Sequence, residues 1–390
     1  MACYISSRDN RFYAAVEQQF GEAPAISAAN RFPATSLAIA HEVSYPKRHD
    51  KTGSRSFAGS ITPLRTNTAF ILKTHLISNP QPPVAPSYGA LFESAMGGSP
   101  RPFTDGVVES IPASDQIRFV DPHGLLVGQG VSFGGELRFA SSIVNDRTVQ
   151  LNVPFSIAPA AGTPMGQTVS YSLTKNLKSL SVFDYWSPET ALQRIVCGAV
   201  VDRMKISVNG DYHEMEFRGP ASDLIDDASF APGSGGLSSF PLEPAAAGSM
   251  GSPVPGHLGQ AWIGVLPTQI FALTGASLLL DNNVEMRTRE FGSTKPRCFA
   301  PGVRSVSFQF SIFSQDDAAT KALYQAGRQA SPVQIMLQLG QQPGQLMALY
   351  MKNVILSVPA FDDKETRLEW HLDGCLAKGT AEDELYLAFA

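Results

Sequence analysis

The sequence predicts a mainly β chain of duplicated sandwich or barrel units, each with a short flanking α-helix and a long loop. Residues 36–96 and 277–326 run through the same parts in the same order. Each has an apolar strand, a basic loop with a Gly-Ser step, a long alternating strand and a short helix carrying Ala-Leu-Phe or Ala-Leu-Tyr. Residues 198–219 (GAVVDRMKISVNGDYHEMEFRG) and 348–374 (ALYMKNVILSVPAFDDKETRLEWHLDG) repeat a second pattern. Many short segments alternate with period two, the mark of a half-buried strand, and 33 Gly and 28 Pro supply the turns. A repeated β unit points to a subunit that fills two quasi-equivalent positions in a ring, and so to assembly rather than chemistry.

Residues 1–33 read as an N-terminal arm whose amphipathic stretch 11–20 (RFYAAVEQQF) forms a helix turn or lies on a neighbour. The first copy spans 34–219. In it Phe70, Leu72, Thr74 and Leu76 share one strand face, and residues 88–96 form a helix stopped by Gly97-Gly98. Residues 98–165 read as an insertion, with strands at 116–120, 131–139 and 148–155 and turns at DPHG and FGGE. Strands follow at 168–173, 195–208 and 212–217, and Asn209-Gly210 is a hairpin turn. Residues 220–261, rich in Gly, Pro, Ala and Ser, read as a linker or long surface loop. The second copy spans 262–390. It has an alternating strand at 303–313 and a helix at 316–329 with Asp316 and Asp317 where the helix dipole favours them. Strands follow at 333–339, 345–358 and 365–372. The terminal run ELYLAF is a strand in need of a partner, on this chain or on another subunit.

At 390 residues and 43% hydrophobic content the chain can fill two ordinary domains. Only 17% of residues are charged, against roughly 25% in average soluble proteins. Either much of the surface meets other protein, or the chain is simply a loop-rich β protein. The net charge of −5 argues against a general nucleic-acid binder, which needs clustered cations for phosphates. Residues 1–75 carry nine basic and five acidic side chains, whereas 361–390 carry eight acidic and three basic. Such ends are complementary across a subunit contact. Cys3, Cys197, Cys298 and Cys375 lack metal-ligand spacing and read as free, mostly buried thiols in a reducing compartment. No apolar signal core or membrane-length run is present, so secretion by signal peptide and membrane spanning are not expected.

Catalytic and cofactor motifs are weak. There is no Gly-Lys pair for a P-loop, and neither His41-Glu42 nor His213-Glu214 has the second His of a zinc protease helix. Gly130-Val131-Ser132-Phe133-Gly134 matches a nucleophile elbow by letters only, because Gly135 and the strand-like ELRFA follow where a helix is needed. Asp362-Asp363 and Glu382-Asp383-Glu384 lack calcium-loop spacing. No enzyme activity, cofactor or metal is expected.

Several stretches together resemble the tail tube protein (major tail protein) of long-tailed bacteriophages. These are SRDNRFYAAVEQQFGEAP with NRFPATSLAI, PKRHDKTGSRSFAGSI before a long strand, ALFESAMGG, RIVCGAVVDRMKISVNGDYHEMEFRG, and NNVEMRTREFGS with GVRSVSFQFSIF and ALYQA. They cover most of the chain outside 98–165 and 220–262. The resemblance implies tail-tube-type β-sandwiches in stacked rings, a hollow tube that passes double-stranded DNA without sequence-specific binding, and no catalysis. It also implies tape measure, terminator and tip proteins as partners, and a virion tail made in the host bacterial cytoplasm. Alternatives are another tail ring component (distal tail, terminator or baseplate hub) or a carbohydrate-binding sandwich.

Two similar units per chain predict trimeric rings with quasi-sixfold symmetry. The runner-up is a hexamer whose second units decorate the outside. The basic loops (Lys47, Arg48, Lys51 and Arg55; Arg287, Arg289, Lys295 and Arg297) are expected at subunit or ring contacts, facing Asp362, Asp363, Glu382 and Asp383. A DNA conduit needs a neutral or acidic wall. Alternation in the matched hairpins places Glu214, Glu216 and Glu369 on one polar face, diluted by Arg218 and Arg367; that face is expected to be such a wall, with an ordinary solvated outer face as the alternative.

Overall fold

The computed structural model describes residues 4–390 except 47, 48, 50, 52, 57, 58, 60–63, 80, 246–249 and 365. The fold is mainly β. The first unit opens with β1 (Asn10–Val16), β2 (Ala34–Ser44), β3 (Arg65–His75) and α1 (Gly89–Met96). An inserted module follows, with β4 (Arg101–Phe103), β5 (Val108–Ala113), β6 (Gln116–Phe119), β7 (Gly130–Phe133), β8 (Glu136–Asn145), β9 (Thr148–Leu151) and β10 (Thr168–Ser172). The first unit resumes with β11 (Leu180–Trp186), β12 (Arg194–Ala199), β13 (Arg203–Val208), β14 (Glu214–Ala221) and β15 (Asp223–Asp226). The second unit starts with β16 (Gly259–Gly264), β17 (Leu273–Asp281), β18 (Ser305–Phe313) and α2 (Ala318–Gln329). It ends with β19 (Pro332–Leu339), β20 (Met347–Ile355), β21 (Ala360–Asp362), β22 (Glu369–Ala377) and β23 (Tyr386–Phe389).

One long antiparallel sheet runs β2-β3-β14-β13-β17-β18-β22, with β21 paired to the start of β22. The first unit supplies β2-β3-β14-β13 and the second β17-β18-β22-β21, the same order twice. Behind this sheet each unit places a second layer. In the first unit the order is β1-β11-β12-β15. In the second it is β16-β19-β20-β23, again the same order. β10 and β4 extend the latter beyond β23, and β20 bends across to reach β22 at Val354 and Ile355.

Period-two alternation decides which side of the long sheet is buried. Phe70 and Leu72 of β3, Met204 and Ile206 of β13, Met215 and Phe217 of β14, Leu278 and Leu280 of β17, and Val306, Phe308 and Phe310 of β18 all enter one core. That core includes Phe12 of β1, Val182 of β11, Leu337 of β19, Leu349 of β20 and Phe389 of β23. α1 plugs the space between the two back layers, where Phe92 meets Tyr171, Phe217 and Phe389 at 5.3–5.8 Å. The helix stops at Gly97, whose φ of 82° is the left-handed conformation that a side chain disfavours.

Both back layers are themselves covered. Tyr13, Phe183, Tyr185 and Ile195 of the first pack against Phe230, Leu237 and Phe240. Glu243 locks this cover by accepting from Arg11 Nε (2.5 Å) and Tyr13 Oη (2.8 Å). The second back layer is covered by the inserted module, where Leu137, Phe139 and Val153 meet Met336, Tyr350 and Tyr386. The module has its own core of Val108, Ile117, Phe119, Val131, Val149 and Leu151 in the sheet β5-β6-β9-β8-β7. Its anchor is Arg138, fully buried, at 3.0 Å from Glu136, 3.3 Å from Gln338 Oε1 and 3.1 Å from Gln260 Oε1. The Arg138 guanidinium also lies 5.4 Å from the centre of the Trp262 ring.

Three expectations need correction, and one open alternative closes within the chain. Residues 11–20 give neither a helix turn nor an arm, because Asn10–Val16 is an interior strand of the first unit. It is apolar on both faces, with Phe12 and Ala14 in the main core and Tyr13 beneath the cover, so the run shows no clean period. Residues 220–261 do not form a free linker: β15 completes a back layer, and residues around Phe230–Phe240 supply its cover. The insertion extends past 165, since Thr168–Ser172 pairs with β23 of the second unit. The terminal strand Tyr386–Phe389 finds its partners, β20 and β10, within the chain. No described helix is long and apolar enough to cross a membrane.

Candidate assembly interface

The junction between the units is a built contact. β13 pairs with β17 over six residues, with Lys205 opposite Leu279, Ile206 opposite Leu278 and Ser207 opposite Ser277. Beyond β17 the chain does not turn back at once. Its long loop, closing at β18, lies on the first unit. Asn282, buried, donates through Nδ2 to the carbonyls of Ala95 (2.9 Å) and Val201 (3.0 Å). Val284 N donates to Asp202 Oδ1 (2.6 Å), and Ser222 Oγ donates to Pro296 O (2.9 Å). Thr66 N donates to Thr294 O at 3.0 Å, and Met286 sits against Leu177 and Val200.

Among the second-loop cations, Lys295 forms an ion pair with Asp223 of β15 and so ties the loop to the first unit. Arg287 pairs with Glu290 at 2.7 Å, Arg297 donates to Gly292 O at 2.9 Å, and Arg289 is exposed with a φ of 62°. Lys51 and Arg55 of the first loop are exposed, whereas Lys47 and Arg48 lie outside the described residues. Within the chain the described pairs do not join these cations to the four expected carboxylates. Asp362 accepts from Lys364 N (3.1 Å) and Nζ (3.2 Å), and the backbone contact holds its carboxyl below the usual range. Burial alone would raise Asp383, but the N–H groups of Thr380 (2.8 Å) and Ala381 (3.2 Å) bring it below that range. Asp363 is exposed, and Glu382 is half-buried with a φ of 54°.

Among the described residues, the second side of the long sheet carries no covering layer. Glu214, Glu216 and Glu369 lie there. Glu214 is exposed and stands opposite His75 and Ser207. Glu216 lies 3.3 Å from Lys73, and Glu369 accepts from Thr274 Oγ1 with His371 Nε2 at 4.0 Å. Lys205, Arg203 (2.6 Å from Asp281) and Arg218 share the face. It is therefore mixed and largely self-neutralised rather than strongly acidic. Lys73, Lys205 and Arg203 are cations of this face that lie outside the two strand segments read from sequence. Arg367 stacks at 5.2 Å on Phe313.

Two features were not foreseen from sequence. One is the Arg138 anchor, whose signal was a lone cation inside the apolar strand ELRFA. The other is an aromatic ledge of Tyr324, Phe361 and Trp370 at the free end of the second unit. Phe361 and Trp370 stack with centroids 5.2 Å apart, and Tyr324 lies 6.1 Å from Phe361. Ser132 of the elbow-like motif is buried in β7 and followed by a Gly134-Gly135 turn, as its context implied. Cys197 and Cys375 are buried free thiols, Cys298 is a half-buried one, and Cys3 lies outside the described residues.

No protein-family model matches the sequence, and no curated protein does. Among solved structures the chain is similar to the tail tube of SPP1, determined by solid-state NMR and cryo-electron microscopy. The match has 14% identity and a TM-score of 0.26, and covers 33% of this chain and 81% of that one. At that TM-score the likeness carries no weight of its own.

Proposed function

We propose that this chain is a structural, non-enzymatic subunit of a phage tail tube. Three copies would close into a ring of six similar units, and the rings would stack into a hollow tube for double-stranded DNA. The observation that carries this reading is the β13–β17 junction. Two units with one strand order are joined edge to edge in a single sheet, the second unit continuing the first. Among the described residues, β2 and β21 have no strand paired on their outer sides, and they correspond to the joined β17 and β13. A strand edge left open invites another strand, and repeating one junction with a constant rotation closes a ring.

The covered back layers support an inward orientation for the remaining bare sheet face, with Glu214, Glu216 and Glu369 among its wall residues. A wall whose cations are paired with carboxylates passes DNA without holding it. The second unit extends the first unit's sheet, which favours three chains per ring over six chains with outward second units. The basic loops are assigned to contacts between chains or rings, by analogy with the second loop's seat on the first unit. Negative-stain microscopy of the purified protein tests the reading: hollow rods or rings support it, and a persistent monomer contradicts it. Assembly that stops at one or two rings would instead favour a terminator or other tail ring component.

A further inference from the structure

The two units differ most where the first meets the second and the second meets nothing. Glu214-Met215-Glu216-Phe217 of β14 corresponds to Glu369-Trp370-His371-Leu372 of β22. In the first unit Lys205, Ile206 and Ser207 pair with Glu216, Met215 and Glu214. In the second, Ala360, Phe361 and Asp362 pair with His371, Trp370 and Glu369. Phe361 therefore holds the position of Ile206. Ile206 is fully buried because Leu278 of β17 lies across it, whereas Phe361 is 57% exposed. Val358 and Leu368 nearby are also exposed.

The helices differ in the same sense. α1 buries six of its eight residues, against Phe389 and Tyr171 of the second unit's back layer and under Asn282. α2 buries only Thr320, Leu323 and Ala326 of twelve. Tyr324, the counterpart of Phe92, packs on the edge of the core with its ring against Phe361 and Trp370.

At the opposite end of the long sheet, β2 is an eleven-residue edge strand. Through the matched hairpins, Thr74 and Leu72 of β3 answer Ile312 and Phe310 of β18, so Phe70 answers Phe308. Ile39, opposite Phe70, therefore corresponds to Leu278 of β17, opposite Phe308. Leu37 and Ile39 are only half-buried. One surface lacks a covering aliphatic side chain, and the other carries one, Ile39, on an open edge.

We propose that β21 of one chain receives β2 of a second copy of this chain in one antiparallel register: Phe361 opposite Ile39, Ala360 opposite Ala40, and Asp362 opposite Ala38. The Phe361 ledge is the apolar centre of the contact. The inference rests on the ring reading and adds to it the edge, the register and the anchoring residue.

The test is intermolecular disulfide formation in the full-length chain carrying both Ala40→Cys and Ala360→Cys, each on an exposed residue. Mild oxidation is expected to give covalent dimers and closed trimers on a non-reducing gel. The pair Ala38→Cys and Ala360→Cys, two residues out of register, is expected to link on the order of 10-fold less, because its Cα atoms lie too far apart. The unsubstituted chain serves as the blank for its native thiols. As a second arm, Phe361→Ser is expected to raise the concentration at half-assembly on the order of 10-fold or more. Its melting temperature as a monomer should stay close to the parent's, since Phe361 is already largely in solvent. Rings that form without the Ala40–Ala360 link, or link equally through Ala38, overturn the register and leave the ring reading standing. Chains that neither link nor assemble overturn both.

Discussion

Ile206 and Phe361 occupy the same register position in two copies of one hairpin, opposite Met215 and Trp370, yet one is fully buried and the other is more than half exposed. The difference lies in the neighbour rather than in the hairpin. Ile206 has β17 beside it, and Phe361 has an open edge. The interior of this chain thus contains a worked example of the contact that its ends lack.

The inserted module should be held to the second unit chiefly by Arg138. Arg138→Met removes the cation and leaves the Glu136 carboxylate, 12% exposed, without its charge partner. Breaking one side of a buried pair costs about 3–5 kcal/mol, and that loss is expected in urea unfolding. The double variant Glu136→Gln/Arg138→Met should recover part of it. A single variant as stable as the parent would show that apolar packing alone anchors the module.

The same pair sets an acid limit. Burial alone would raise the Glu136 carboxyl, but Gln260 Nε2 (2.9 Å), Ser156 Oγ (2.5 Å) and N (2.8 Å), and Arg138 together hold it below the usual carboxylate range. A folded value below the unfolded one means that its contribution is complete above the unfolded pKa, about 4.3, and is lost as the pH falls through the folded value. Hydrogen exchange in residues 136–155 should accelerate below about pH 4. Glu136→Gln should flatten that dependence. An unchanged acid profile in the variant would assign it to other groups.

Asn282 should matter out of proportion to its size. Among the described residues its amide is the only side-chain donor to the Ala95 and Val201 carbonyls, the end of α1 and the segment before β13. Asn282→Ala leaves both buried acceptors short of a partner, at a cost of about 1–3 kcal/mol. Thermal unfolding checks the size. Protease sensitivity confined to residues 282–304 would show that the loop has lifted from the first unit.

The bare sheet face should tolerate DNA because its cations are matched. Replacing Glu214, Glu216 and Glu369 by Gln leaves Lys73, Lys205, Arg203 and Arg218 in excess. Assembled tubes of that variant are expected to retain double-stranded DNA with a steep salt dependence, while parent tubes do not. Equal retention by both would place the face outside the channel.

Alternation exposed most of the long sheet to prediction. Phe70, Leu72, Met204, Ile206, Val306 and Phe308 sit on the faces that period two assigns, and Asp317 caps α2 by accepting from Thr320 N at 2.6 Å. The back layers were harder to read. β1, β11 and β20 are buried on both faces, so their apolar runs carry no phase, and β1 could pass for a helix turn. Partners distant in sequence were also hidden: nothing in ELYLAF says that it pairs with residues 168–172. The candidate interface was half legible. The charged loops announced themselves by composition, whereas Phe361 and Ile39 became meaningful only when strand order put one copy's buried position beside the other's exposed one.

The most direct measurement of the central claim is the rotational symmetry of rings assembled from the pure chain, read from cryo-electron microscopy class averages. The repeated sheet predicts three chains per ring and six similar β units around the lumen, with the inserted module on the outside at three positions. Six whole chains per ring, or second units standing outside a lumen lined by first units alone, would contradict it.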